Sequence, residues 1–138
     1  MAKGKPYKVS TKDLIPGVAP LHEESNSWTI AINENIAMYV TEIRPGGRAL
    51  KDIHADADHV FYYTSGYGYQ IIDGERFDFG PNDCIFVPMG STHECHVVGN
   101  ETVRMVVTFS PLPQDKKQFM EAFENRIKEL NYGSSGKV

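Results

Sequence analysis

The sequence predicts an all-β double-sheet sandwich or barrel closed by one C-terminal α-helix. Three observations carry this. Short alternating apolar segments recur from residue 28 to residue 109, with turn signals at near-regular intervals. Asp73-Gly74 stands between two such segments, a strong two-residue hairpin signal. Helical periodicity occurs only after Ser110-Pro111-Leu112-Pro113.

In chain order, residues 1–27 mix Pro6, Pro16 and Pro20 with short apolar pieces and read as an extended arm, an edge strand or an exchanged strand. The barrel is expected over 28–110. Residues 28–32 place Trp28, Ile30 and Ile32 on one face, and Asn33-Glu34-Asn35 leads into 36–43. Arg44-Pro45-Gly46-Gly47 predicts a turn, since proline presets one backbone angle and glycine permits positive ones. Further strands are expected at 69–72, 75–79, 84–87, 93–98 and 102–109, the last with Val103, Met105, Val107 and Phe109 on one face. Residues 111–138 hold the helix and a tail. A helix over 115–130 is expected, capped by Asp115 with Gln118 in capping-box register, and its apolar stripe is Phe119, Phe123, Ile127 and Leu130. The tail NYGSSGKV is expected to be mobile.

A chain of 138 residues forms one domain with a sizeable core. Its net charge of -4 includes no basic stripe, which excludes nucleic acid as the expected partner. There is no membrane-spanning run, and MAKGKPYKV lacks the apolar segment of a secretory leader, so no membrane is expected and cytoplasm is the expected location. Cys84 and Cys95 are too few for a disulfide framework and lack zinc-ribbon spacing.

The chemistry concentrates in GGRALKDIHADADHVFYYTSG and NDCIFVPMGSTH. Asp52 and His54 are two apart and share a strand face; the polar piece 55–58 bends the chain before His59; His93 opens another strand with Cys95 on its side and His96 on the other. One barrel can bring Asp52, His54, His59 and His93 together, and imidazole with carboxylate suits a divalent metal: iron, manganese, zinc, nickel or cobalt. The bland alternative is an empty barrel that binds a ligand without metal. Asp56 and Asp58 read as a solvated turn, His22 as a loop residue, and Cys95 as a small buried filler. Tyr63, Tyr67 and Tyr69 are candidate pocket residues, and Arg44, Arg48 and Arg104 are candidate clamps for a substrate carboxylate.

These motifs resemble those of a small single-domain cupin, over residues 30–109. Gly46, Asp52-x-His54, His59 and Gly66 keep every spacing of the first cupin motif, and Asn82, Pro88-x-Gly90 and His93 keep the frame of the second. Asp52 stands where the family has a histidine, His59 where it has a glutamate, Asn82 where it has a glycine, and Val97 where it has an asparagine. The resemblance implies a cupin double-stranded β-helix (a jelly-roll barrel) and, by position, metal ligands Asp52, His54, His59 and His93. Asp52 reaches less far than histidine, so it acts either as a ligand or, just outside the ligand set, as a base or the partner of a ligating imidazole. A homodimer is likewise implied.

The leading functional expectation is a metal-dependent enzyme of redox-neutral chemistry, a lyase, isomerase or decarboxylase, acting on a small oxygenated or carboxylate-bearing molecule. The metal would be a Lewis acid, and Asp52, Tyr63 and Tyr69 are the catalytic candidates. A mononuclear Fe(II) dioxygenase is the first alternative, and a non-catalytic small-molecule or sugar-binding barrel the second.

Overall fold

The computed structural model describes residues 4–131. The chain forms strands β1 (His22–Ile32), β2 (Ala37–Ile53), β3 (Asp58–Ser65), β4 (Tyr67–Ile72), β5 (Glu75–Phe79), β6 (Cys84–Val87), β7 (Thr92–Val98) and β8 (Val103–Ser110). A 3-10 turn at Gln114–Phe119 then leads into the helix α1, Met120–Asn131. The strands form one antiparallel path, β5-β4-β7-β2-β8-β3-β6, with β1 added on β2. This is the near-closed barrel that the strand pattern predicts.

Strand β2 joins the two halves, and here the expected turn at 44–47 is corrected to a bend inside one continuous strand. β2 pairs with β8 from Ala37 to Ile43 and with β7 from Arg48 onward, while β1 pairs with it on both sides of the bend. The β1 register jumps here, from Ser25 opposite Ile43 to Glu23 opposite Arg48, so residues 44–47 bulge out while pairing on both sides keeps the strand going. The bend needs its glycines: Gly46 has φ +84, and a Cβ on Gly47 would lie 2.5 Å from the Glu23 carbonyl oxygen as β1 crosses. The Asp73-Gly74 hairpin is as expected, with φ of 49 and 86, both positive as a type I′ turn requires.

The interior faces alternate as the sequence suggests. Val103, Met105, Val107 and Phe109 are all buried, and Tyr63, Ile43 and Val87 are almost wholly shielded as well. Tyr63 stacks on Phe79 with centroids 3.7 Å apart. This packing fills one end of the barrel and leaves the other open.

The arm and the helix flank the open end. The arm packs on its own barrel: Gly17 bridges to Ser27, the Tyr7 hydroxyl donates to the Ile30 carbonyl at 3.2 Å, and the Tyr7 ring meets Phe123 edge-on. The expected helix start at Asp115 is corrected. Pro113 precedes a 3-10 turn without a side-chain cap, and Gln118 instead donates through Nε2 to the Asp115 carbonyl. Three residues per turn rather than 3.6 rotates Phe119 off the stripe, leaving it 49% exposed, whereas Phe123 and Ile127 are buried. The expected mobile tail lies, from Tyr132 on, outside the described residues. Among the described residues, no helix is long and apolar enough to cross a membrane.

Candidate metal centre

Three strands deliver three histidines to one point. His54 follows the end of β2, His59 points inward from β3, and His93 points inward from β7 opposite Asp52. Each offers a ring nitrogen, and these atoms lie within 4.8 Å of one another. Ring centroids are 4.4 Å apart for His54 and His59, 5.0 Å for His59 and His93, and 5.6 Å for His54 and His93. Phe109 backs the group, 4.1 Å from the His59 ring and 5.2 Å from His54.

The donors fit a metal. Both nitrogens of His59 and Nδ1 of His93 are buried without a hydrogen-bond partner, an unfavourable state for polar atoms unless something binds them. Burial, reinforced by the neighbouring His54 and His93, depresses the His59 pKa to about 2. Burial and the adjacent His54 bring His93 to about 4, and burial also lowers His54, against the pull of Asp52. All three are therefore neutral at ordinary pH, the form in which imidazole binds a metal.

Asp52 stands beside this group rather than within it. Its Oδ2 is 3.3 Å from His54 Nε2, and its Oδ1 accepts the Ile53 N–H at 2.8 Å. This geometry fits a carboxylate just outside the three histidines, close enough to pair with a ring nitrogen.

With His59 behind them, His54 and His93 line a cavity of about 660 Å³, within the range of small-molecule sites. Its inner wall is mostly apolar, with Phe61, Met105, Val107 and Phe109 among the lining residues. Gln70, fully buried, is a polar interruption: its Nε2 lies 2.5 Å from the Tyr63 hydroxyl, while its Oε1 has no partner. Tyr63 thus sits behind Gln70 and does not line the cavity, so its expected contact with substrate is corrected to support of Gln70. Tyr69 also lies elsewhere. It is on the outer sheet face, stacked on His96 under Arg76, because alternation along β4 turns Gln70 inward and Tyr69 out. The three arginine clamps are corrected too: Arg44, Arg48 and Arg104 pair at the surface with Glu24, Glu23 and Glu42. Cys95 is buried in the wall, where desolvation pushes its thiol up to about 12.

Three cavity residues escaped the sequence reading. His22 is not in a loop but opens β1, lines the cavity, and holds Ser25 Oγ at 3.0 Å from Nδ1. Tyr39 and Lys116 line it as well. None lies within a motif. His22 precedes the strand that alternation identifies, and Lys116 belongs to a turn that reads as helix.

Residues 39–109 match the family model described as the cupin domain, about half of the chain, and the protein belongs to the cupin family. Among curated proteins it is similar to the polyketide synthase CurC of Streptomyces cyaneus, 31% identical over 70 residues, covering 51% of this chain and 46% of that protein. The chain spans about half the length of the curated relatives it matches. Among solved structures it resembles the polyketide cyclase RemF of Streptomyces resistomycificus, with TM-score 0.70 and 19% identity over 80% of this chain and 82% of that one. It also resembles KdgF of a Halomonas species, with TM-score 0.69 and 17% identity over 82% and 98%. At these identities the structural likenesses establish the fold.

Proposed function

We propose that the protein is a metal-dependent enzyme carrying out redox-neutral carbonyl chemistry, of the lyase, isomerase or decarboxylase kind, on an apolar oxygenated molecule. One observation carries this reading: three neutral imidazoles meet beside a cavity otherwise lined mainly by aliphatic and aromatic side chains, and buried nitrogens of His59 and His93 have no partner. His54, His59 and His93 would hold the ion. When bound, a divalent metal supplies Lewis-acid polarisation of a carbonyl oxygen.

The chain's own residues supply the rest. Asp52, open to the cavity beside His54, is the group that accepts a proton from carbon next to the carbonyl. Phe61, Met105, Val107 and Phe109 hold the carbon skeleton and keep water out. Likeness to a polyketide cyclase and a polyketide synthase protein supports a keto-bearing substrate, since ring closure of a polyketone also begins with loss of a proton beside a carbonyl.

The test is elemental analysis of untagged protein prepared anaerobically, followed by solvent-deuterium exchange at the methyl group of acetophenone, read by NMR. Near-stoichiometric metal with exchange that His54→Ala abolishes is the expected result. Iron with oxygen uptake and no exchange would replace this reading by the oxygenase. No metal, even after reconstitution, would leave a ligand-binding barrel.

A further inference from the structure

The cavity carries a cation that no motif announces. Lys116 is half-buried in the turn Gln114–Phe119, and that turn is fastened to the loop between two of the histidines: the Gln114 N–H donates to Asp56 Oδ2 at 2.9 Å. The ammonium nitrogen stands 5.7 Å from the centroids of both Tyr39 and Phe109. Phe109 in turn contacts His59 and His54, so one aromatic ring separates the ammonium from the histidine cluster.

This charge has no carboxylate within ion-pair distance: among the described residues Lys116 forms no ion pair, whereas Arg44, Arg48, Arg76, Arg104 and Arg126 all do. Of the cavity's carboxylates, Asp52 lies against His54, and Asp115 makes no ion pair with its neighbour. Three neutral imidazoles neutralise none of a bound divalent ion's charge and Asp52 offsets only part of it, so an ammonium facing the same cavity adds to a positive potential that favours an anionic ligand.

We propose that Lys116 is a specificity-determining residue that binds an anionic oxygen, carboxylate or enolate, of the molecule whose carbonyl faces the histidines. This rests on the functional reading above and narrows it: the substrate is an apolar keto acid or an enolisable polyketone, held between the histidine wall and the lysine. A tetrahedral ammonium suits a single anionic oxygen without demanding a bidentate partner.

The test is calorimetric titration of cobalt-loaded and metal-free protein with three probes: benzoylformate, a carboxylate; benzoylacetone, which ionises to an enolate; and methyl benzoylformate, which stays neutral. Lys116→Met should weaken benzoylformate, benzoylacetone or both about tenfold, the scale of one charge-assisted contact partly open to solvent, and leave the ester unchanged. The anion that is weakened identifies the source. Lys116→Arg should restore most of the lost affinity, and an unchanged melting midpoint shows that both variants are folded. Equal binding of both anions by wild type and Lys116→Met overturns the proposal, as does equal weakening of the ester, or no binding of either anion in any form. Cobalt stoichiometry is read separately. Its absence would sink the metal reading while the metal-free titration still judges the lysine.

Discussion

The wall of the cavity and its mouth are built by different physics. In the wall, paired strands fix the direction of each side chain: β7 sets His93 and Cys95 inward while Glu94 and His96 pair on the other face, 2.8 Å apart. At the mouth, no strand period operates. The arm and the C-terminal segment are held by isolated tertiary bonds, among them Gly17 to Ser27 and Arg126 Nη2 to the Asp13 carbonyl at 2.8 Å. The exposures follow: His59 in the wall is 1% exposed, whereas Ile15 and Phe119 at the mouth are 93% and 49% exposed. On the proposed reading, metal binding would rest on the more ordered region and choice of ligand on the less ordered one.

The largest effect should come from the wall. His59→Ala removes the most buried of the three donors and should lower metal affinity by more than about 100-fold, beyond what loss of an outer hydrogen-bond partner does. Competition against a chromogenic chelator measures this, and unchanged affinity would remove the site. Asp52→Asn comes next. It keeps the shape beside His54 and removes the charge, so affinity should fall by about 10–100-fold, with proton exchange at a ketone probe falling further. A loss as large as that of His59→Ala would move Asp52 into the wall's ligand set and erase the distinction between ligand and partner.

These positions also show what the sequence could reveal. His54, His59 and His93 were legible because ligand spacing on strands survives into the fold with little distortion. The continuation of one strand past Gly46-Gly47 was not, because β1 resumes pairing at Arg48 and a new partner, β7, begins there. Tyr63 and Tyr69 misled for separate reasons. Tyr63 does point inward but packs behind Gln70, and Tyr69 lies on the outer face of β4, where alternation turns its neighbour Gln70 inward. Lys116 and His22 reach the cavity through a 3-10 turn and a strand end, whose directions depend on what they dock against.

A pH series separates the wall's histidines from the rest of the molecule in the metal-free state. With a native pKa of about 2 for His59 and an unfolded value of about 6.5, the unfolded chain binds a proton that the folded chain does not, throughout the interval between them. Stability therefore rises with pH across that interval and is lost as pH falls below about 6.5. His59→Leu lacks this liability, so relative to wild type it should gain about 2 kcal/mol between pH 7 and pH 5. Urea denaturation at the two values reads the difference. A pH-independent difference would mean that His59 is not held neutral by burial.

The smallest effect belongs to the mouth. Arg126 forms an exposed pair with Glu129 and donates one charge-assisted bond to the arm, at the Asp13 carbonyl. Arg126→Ala should cost about 1 kcal/mol of stability, since a single partly solvated bond contributes little. It should leave metal affinity unchanged while speeding hydrogen exchange at the Gly17 amide, which bonds the Ser27 carbonyl where the arm meets the barrel. Loss of metal in this variant would show that the mouth braces the wall, and the two regions would then be one mechanical unit. Faster exchange with metal retained would show that the opening can loosen while the histidines keep their places, as a site that admits its ligand through an adaptable rim requires.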